Sequence, residues 1–157
     1  MLSIVVPTLN EAENIPGLVE QLNAELAVTY EVIFVDDGSD DGTLAVVETL
    51  AEQQPVRVIS RAGKARDLSA SVLEGIEASQ FERIVVMDAD HSHPPAVVPL
   101  MLDALEEHPD CFVLGSRYIE GGSFDRDWQL WRFLNSHVAT LLAMPLIRCS
   151  EIGRAHV

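Results

Sequence analysis

Five short apolar runs alternate with stretches of helical period along almost the whole of this sequence, and that alternation admits few folds. Ser3-Ile4-Val5-Val6, Glu31-Val32-Ile33-Phe34-Val35, Val56-Arg57-Val58-Ile59, Arg83 to Met87 and Cys111-Phe112-Val113-Leu114-Gly115 read as strands. Between them, Ile15, Leu18, Val19, Leu22 and Leu26 form the stripe of one helix. Leu44, Val47 and Leu50 mark a second helix after Gly42-Thr43, and Leu68, Val72 and Ile76 a third. Asn10, with Glu13 three residues on, has the pattern of a capping box for the first helix. Pro94-Pro95 suits the start of another, since proline is tolerated in a first turn, and Trp131, Leu134, Val138 and Leu141 line a last one. Strands that are apolar on both faces are buried on both. The expected fold is therefore α/β, with three layers (α/β/α) around a mainly parallel central sheet.

Length and charge narrow the partners. At 157 residues the chain is one domain's worth, and a hydrophobic share of 48% excludes disorder. Twenty-five acidic residues against ten basic ones leave a formal net charge of −15. Nucleic acid is not an expected partner, because no basic stripe exists to neutralise a phosphate backbone. A nucleotide held through a cation is compatible with that charge. Cys111 and Cys149 offer no disulfide framework, which suits a reducing compartment. Strand-like sequence begins at Leu2, so no signal peptide is expected ahead of the fold, and no apolar run approaches a membrane span.

Three strand ends carry polar clusters: Pro7-Thr8-Leu9-Asn10-Glu11, Asp36-Asp37-Gly38-Ser39-Asp40-Asp41-Gly42-Thr43, and Asp88-Ala89-Asp90-His91-Ser92-His93-Pro94-Pro95. Each has a plain account as a cap or turn. In a parallel sheet all three share the carboxyl edge, where open α/β sheets bind ligands. Residues two apart on a strand point the same way, so Asp88 and Asp90 converge. Two hard oxygen donors of this kind suit Mg²⁺ or Mn²⁺ and leave positions for substrate phosphates. His91 and His93 would support them rather than bind, because a hard ion prefers oxygen.

In these segments the chain resembles the family 2 glycosyltransferases of the GT-A fold, and most closely their dolichol- or polyprenol-phosphate mannosyltransferase branch. The matching residues are Val5 to Glu11, Val35-Asp36-Asp37-Gly38-Ser39 with Asp41-Gly42-Thr43, Met87-Asp88-Ala89-Asp90 with His93-Pro94-Pro95, Gly115-Ser116-Arg117-Tyr118, and Gly121-Gly122 followed by Trp128, Arg132 and Ser136. The resemblance implies a nucleotide-diphospho-sugar transferase fold, incomplete at its carboxyl end. It implies an inverting transfer of a hexose, mannose from GDP-mannose, to a polyprenyl or dolichyl phosphate at the cytoplasmic face of a membrane. UDP-glucose is the alternative donor. Pro7, Glu11, Val35 and Asp37 would line base and ribose. Leu9 stands among them where relatives often carry an aromatic. Asp88 and Ala89 would lie beside the sugar nucleotide, Asp90 would be the main ligand of Mg²⁺ or Mn²⁺ with Asp88 beside it, and Arg117 and Arg132 would face phosphate groups.

Other departures are Asp67-Leu68-Ser69 where relatives often have Gly-Leu-Gly, and Ser92 where a glutamine would add a ligand. Readings from other classes are a haloacid-dehalogenase-like phosphatase and a receiver-type signalling module that binds metal at Asp36-Asp37. The first places its Asp-x-Asp on an opening strand, and the second needs a lysine after its fifth strand. Glu151 to Val157 back-translates as a common sequencing-adapter oligonucleotide, so residues 1–150 are expected to be a partial catalytic domain and 151–157 a non-native tail. Arg148-Cys149-Ser150 stops where relatives carry a further loop, so the chain alone is expected to be inactive.

Overall fold

The structure is a computed structural model and describes residues 1–115. Four strands form one parallel sheet: β1 (Leu2–Thr8), β2 (Tyr30–Asp36), β3 (Val56–Ser60) and β4 (Ile84–Val86), in the order β3-β2-β1-β4. The register sets Val5 opposite both Ile33 and Val86, and Phe34 opposite Val58. Between the strands run α1 (Ile15–Glu25), α2 (Thr43–Ala51) and α3 (Leu68–Glu77), and α4 (Val97–Glu107) follows β4. The chain divides into two compact units, Met1–Pro99 and Leu100–Val157, with the boundary inside α4. The first unit holds the whole sheet.

The near-continuous apolar runs are explained by burial on both faces. Ile4, Val5, Val6, Val32, Ile33, Phe34 and Val35 are all wholly buried. One face, carrying Val5, Ile33 and Val35, lies under α3. On the other side α1 buries Ile15, Leu18, Val19 and Leu22, four of the five stripe positions, and α2 buries Val47.

Three expectations are corrected. The capping box at Asn10 does not form: α1 begins only at Ile15, with Asn14 at its N-cap and Pro16 in its first turn. Asn10 instead takes a left-handed backbone (φ 60°), and its polar groups go to the neighbouring loop. The helix at Leu68–Glu77 exists, but its apolar stripe is not its buried face. Ser71 and Gly75 are buried, whereas Leu68 is 65% exposed. Small residues are needed there because α3 lies very close to the sheet; a Cβ on Gly75 would stand 2.3 Å from Val5 Cγ1. In the second unit, the run from Cys111 to Gly115 is not a strand, and Phe112 and Leu114 are exposed. An apolar run becomes a strand only where a neighbour takes up its N–H and C=O groups. Among the described residues none pairs with it. The last helix, around Trp131, and the tail 151–157 lie outside the described residues.

At the amino-terminal edge of the sheet, Glu31 locks three strands together. Its carboxylate accepts from Ser3 Oγ (2.7 Å), the Gln80 N–H (2.7 Å) and Arg57 Nε (3.0 Å). Burial works against its ionisation, but these donors outweigh it and hold the carboxyl below its ordinary range. A depressed carboxyl contributes stability that is complete above the unfolded value, about 4.3. That contribution is lost as pH falls through the folded value. Glu31→Gln is therefore expected to flatten the acid limb of a plot of urea midpoint against pH. An unchanged limb would mean that other carboxylates carry it. Gly75→Ala is expected to cost about 1–3 kcal/mol in denaturant unfolding, because Val5 is wholly buried and has nowhere to move.

Candidate active site

The strand order places a topological switch between β1 and β4. The chain winds outward from β1 through β2 to β3, then returns to the opposite side of β1. Loops leaving β1 and β4 diverge at such a point and open a crevice at the carboxyl edge. A pocket of about 330 Å³ lies at this edge, lined by Pro7, Thr8, Leu9 and Glu11 after β1, Asp37 after β2, and Arg66, Asp67, Leu68 and Ser71 around the start of α3.

The walls are built by side chains of one loop holding the backbone of another. Asn10 N–H donates to Ser39 Oγ (2.8 Å), Glu11 N–H to Thr43 Oγ1 (3.0 Å) and Ala12 N–H to Asp41 Oδ2 (3.0 Å). In return, Asn10 Oδ1 accepts from the Asp40 N–H (3.0 Å). Asp41 also accepts from the Thr43 hydroxyl and N–H. The Thr43 hydroxyl, then the Ala12 N–H, hold its carboxyl below the ordinary range. Gly42, the N-cap of α2, has φ 97°, a conformation that an L side chain would strain.

Asp36 is wholly buried and closes its own turn, accepting from the Gly38 and Ser39 N–H groups (3.1 and 3.0 Å) and from Ser39 Oγ. Asp37 Oδ1 accepts from Arg61 Nη1, and its Oδ2 from the Asp67 N–H (2.7 Å). All four carboxylate oxygens of this pair are thus engaged by protein donors. That removes the observation on which a receiver-type metal site at Asp36-Asp37 would rest.

Arg61 was not among the residues expected to matter, yet it organises this wall. It is 4% exposed and donates to Asp37, to Glu74 Oε1 (3.1 Å), to Ser71 Oγ (3.0 Å) and to the Asp67 carbonyl (3.2 Å). The available signal was an arginine directly after an apolar strand in a strongly acidic chain. Arg61→Met leaves the mostly buried Asp37 carboxylate without its cation, while Glu74 keeps Lys64, and is expected to cost about 3 kcal/mol. Lys64→Ala, which removes a cation that is half-exposed beside Glu74, is expected to cost at most about 1 kcal/mol. Denaturant midpoints of the two variants compare them directly, and equal costs would show that the Arg61 network carries no special weight.

The acid pair stands just past the end of β4. Burial alternates through Met87 (4% exposed), Asp88, Ala89 (2%) and Asp90, so both carboxylates emerge on the open side. The Asp88 N–H donates to His93 Nδ1 (3.1 Å), and the Ser92 N–H to Asp90 Oδ1 (3.0 Å). Partial burial opposes ionisation of Asp90, but the hydroxyl and N–H of Ser92 outweigh it and keep its carboxyl below the ordinary range. Two exposed carboxylates fit a hard divalent cation that fills its shell with water or phosphate. Among the described residues no set of three or more His, Cys, Asp or Glu side chains gathers to hold one. His93 thus braces the motif, and His91, at φ 59°, turns the chain away from it.

Of the residues expected at the site, the structure gathers Pro7, Leu9, Glu11 and Asp37 on the pocket lining, and sets Asp88 and Asp90 beyond β4. The Val35 side chain is packed in the core against α3, so only its backbone can face a ligand. Ala89 is buried, and Arg117 and Arg132 lie outside the described residues.

The comparison that decides the family is with its sequence profile: Glycosyl transferase family 2 matches residues 3–155. The chain belongs to glycosyl transferase family 2. It is 40% identical over 154 residues to a dolichol-phosphate mannosyltransferase from Saccharomyces cerevisiae, covering 95% of this chain and 57% of that protein. The chain spans about half the length of the curated relatives it matches. Solved structures show the same fold. A glucosyl-3-phosphoglycerate synthase from Mycobacterium tuberculosis in complex with UDP superposes with a TM-score of 0.62 at 21% identity, covering 93% of this chain and 51% of that one. The mannosyltransferase PcManGT from Pyrobaculum calidifontis, in complex with GDP-Man and Mn²⁺, gives a TM-score of 0.55 at 23% identity, covering 67% and 31%. Among the described residues no helix is long and apolar enough to cross a membrane.

Proposed function

We propose that this chain carries the donor-binding half of an inverting hexosyltransferase that moves mannose from GDP-mannose to a polyprenyl or dolichyl phosphate at the cytoplasmic face of a membrane. The observation that carries the reading is the pairing of a pocket at the carboxyl edge with an exposed Asp88/Asp90 pair across the switch point, in a chain 40% identical to a dolichol-phosphate mannosyltransferase. The pocket wall of Pro7, Leu9, Glu11 and Asp37 takes base and ribose. Leu9, 40% exposed, offers apolar cover in place of ring stacking. Asp88 and Asp90 would hold Mg²⁺ or Mn²⁺ beside the diphosphate, next to the backbone at Ala89, while the backbone at Val35 faces base and ribose. Such an ion, when bound, offsets the charge of a departing nucleoside diphosphate.

The acceptor needs little activation. A phosphate monoester has a second pKa near ~6 and is largely ionised at neutral pH, so attack on the anomeric carbon requires no dedicated strong base. Arg117 and Arg132 are assigned to phosphate oxygens, where a guanidinium fork is the preferred partner. An acidic chain repels a bare nucleoside diphosphate, so binding should depend on the cation. Calorimetry of the chain with GDP and with UDP is expected to give binding in Mn²⁺ and little in excess chelator, and Asp90→Ala is expected to abolish the cation-dependent part. Equal affinity in chelator would overturn the metal assignment. Tighter binding of UDP than GDP would favour glucose over mannose as the sugar moved.

A further inference from the structure

Three carboxylates, Glu11, Asp37 and Asp67, share the pocket lining with one cation, Arg66. The acids are already engaged. Glu11 accepts from Asn14 Nδ2 (2.6 Å), Asp37 lies between Arg61 and the Asp67 N–H, and Asp67 caps α3 by accepting from the Ala70 N–H (3.1 Å). Arg66 differs. Arg57, Arg61 and Lys64 each pair with a carboxylate, whereas among the described residues the Arg66 guanidinium makes a single hydrogen bond, from Nη2 to the Gly38 carbonyl (3.1 Å). A guanidinium has five N–H donors in a fixed plane, so most of its capacity is left for whatever enters the pocket.

Its position in the sheet decides which part of a ligand it meets. Gly38 follows β2, and β1 separates β2 from β4. With neighbouring strands about 4.8 Å apart, its partner Gly38, past the end of β2, is set roughly 10 Å across the sheet from the line of β4. A nucleotide whose diphosphate lies near Asp88 and Asp90 therefore brings its base, not its phosphates, to Arg66.

We infer that Arg66 reads the base of the bound nucleotide, donating from its guanidinium to the exocyclic carbonyl oxygen of a keto base, O6 with N7 of guanine or O4 of uracil. The inference rests on the nucleotide-donor reading above. Adenine and cytosine present an amino group at the same position, which sets donor against donor. Arg66 thus selects keto over amino bases. The fork and the O6/N7 edge match in the way that arginine meets guanine elsewhere.

Calorimetry in Mn²⁺ with GDP, UDP, ADP and CDP, on the wild-type chain and on Arg66→Ala and Arg66→Lys, tests it. Wild type is expected to bind GDP or UDP about tenfold or more tighter than ADP and CDP. Whichever of GDP and UDP binds more tightly identifies the base. Arg66→Ala is expected to bring the four within about twofold, with an unchanged unfolding midpoint, because the side chain is exposed and makes one hydrogen bond among the described residues. Arg66→Lys is expected to restore only part of the preference, since a point charge does not reproduce the fork. A uniform loss for all four nucleotides would place Arg66 on the phosphates and overturn base reading. An unchanged preference in Arg66→Ala would overturn it too, while leaving the nucleotide reading intact. Failure of the wild type to bind any of the four would remove both.

Discussion

The candidate site depends on hydrogen bonds that run from the backbone of one loop to the side chains of the next. Asn10, Glu11 and Ala12 leave β1 with three consecutive N–H groups that no helix or strand takes up, and Ser39, Thr43 and Asp41 accept all three. Each such bond contributes only about 1 kcal/mol net, and only that of the Glu11 N–H is partly buried, so the three act together rather than singly. The two loops are therefore bound to one another rather than free to vary separately. With these bonds in place α1 starts only at Ile15, and Pro7, Leu9 and Glu11 lie along the lip of the pocket.

Electrostatics inside this acidic chain follow a division of labour. Arg61 is buried and spends its donors on Asp37, Glu74, Ser71 and backbone carbonyls, so Asp37 on the pocket wall is paired from within the protein. Arg66, five residues on, keeps its donors at the surface. The Asp88/Asp90 pair is left without a neighbouring guanidinium among the described residues, which is the condition under which a cation rather than a side chain completes the charge balance. One arginine builds the pocket wall, a second lines the pocket with most of its donors free among the described residues, and the acids beyond β4 have no arginine or lysine beside them there.

Much of this was legible from residue order. The strand runs at Ser3–Val6, Glu31–Val35 and Val56–Ile59 formed as read, and the run from Arg83 to Met87 formed a shorter strand at Ile84–Val86; in β1 and β2 the double-faced apolar run is buried on both sides, whereas β3 and β4 at the edges are only partly covered. Pro7, Leu9, Glu11 and Asp37 came together because strand ends in a parallel sheet share an edge. The misreadings share a cause. The Asn10 capping pattern, the apolar stripe of α3 and the run at Cys111–Gly115 are local signals, and each was overruled by a partner that local sequence does not name: the loop after β2, the close approach of β1, and the lack of a paired strand among the described residues.

Sequence by itself therefore determined the class of fold, the polar clusters at the strand ends and the acid pair that suits a divalent ion, since these follow from periodicity and residue type. Tertiary structure alone decided which oxygens are spent and which donors are free. Asp37 and Asp90 are both aspartates at strand ends, yet Asp37 is bound between Arg61 and the Asp67 N–H, whereas Asp90 stays exposed and ionised. Arg61 and Arg66 lie five residues apart, yet one is wall and the other is lining. The reason is that a hydrogen bond depends on which groups packing brings within about 3 Å, and that distance is set across the sheet rather than along the chain.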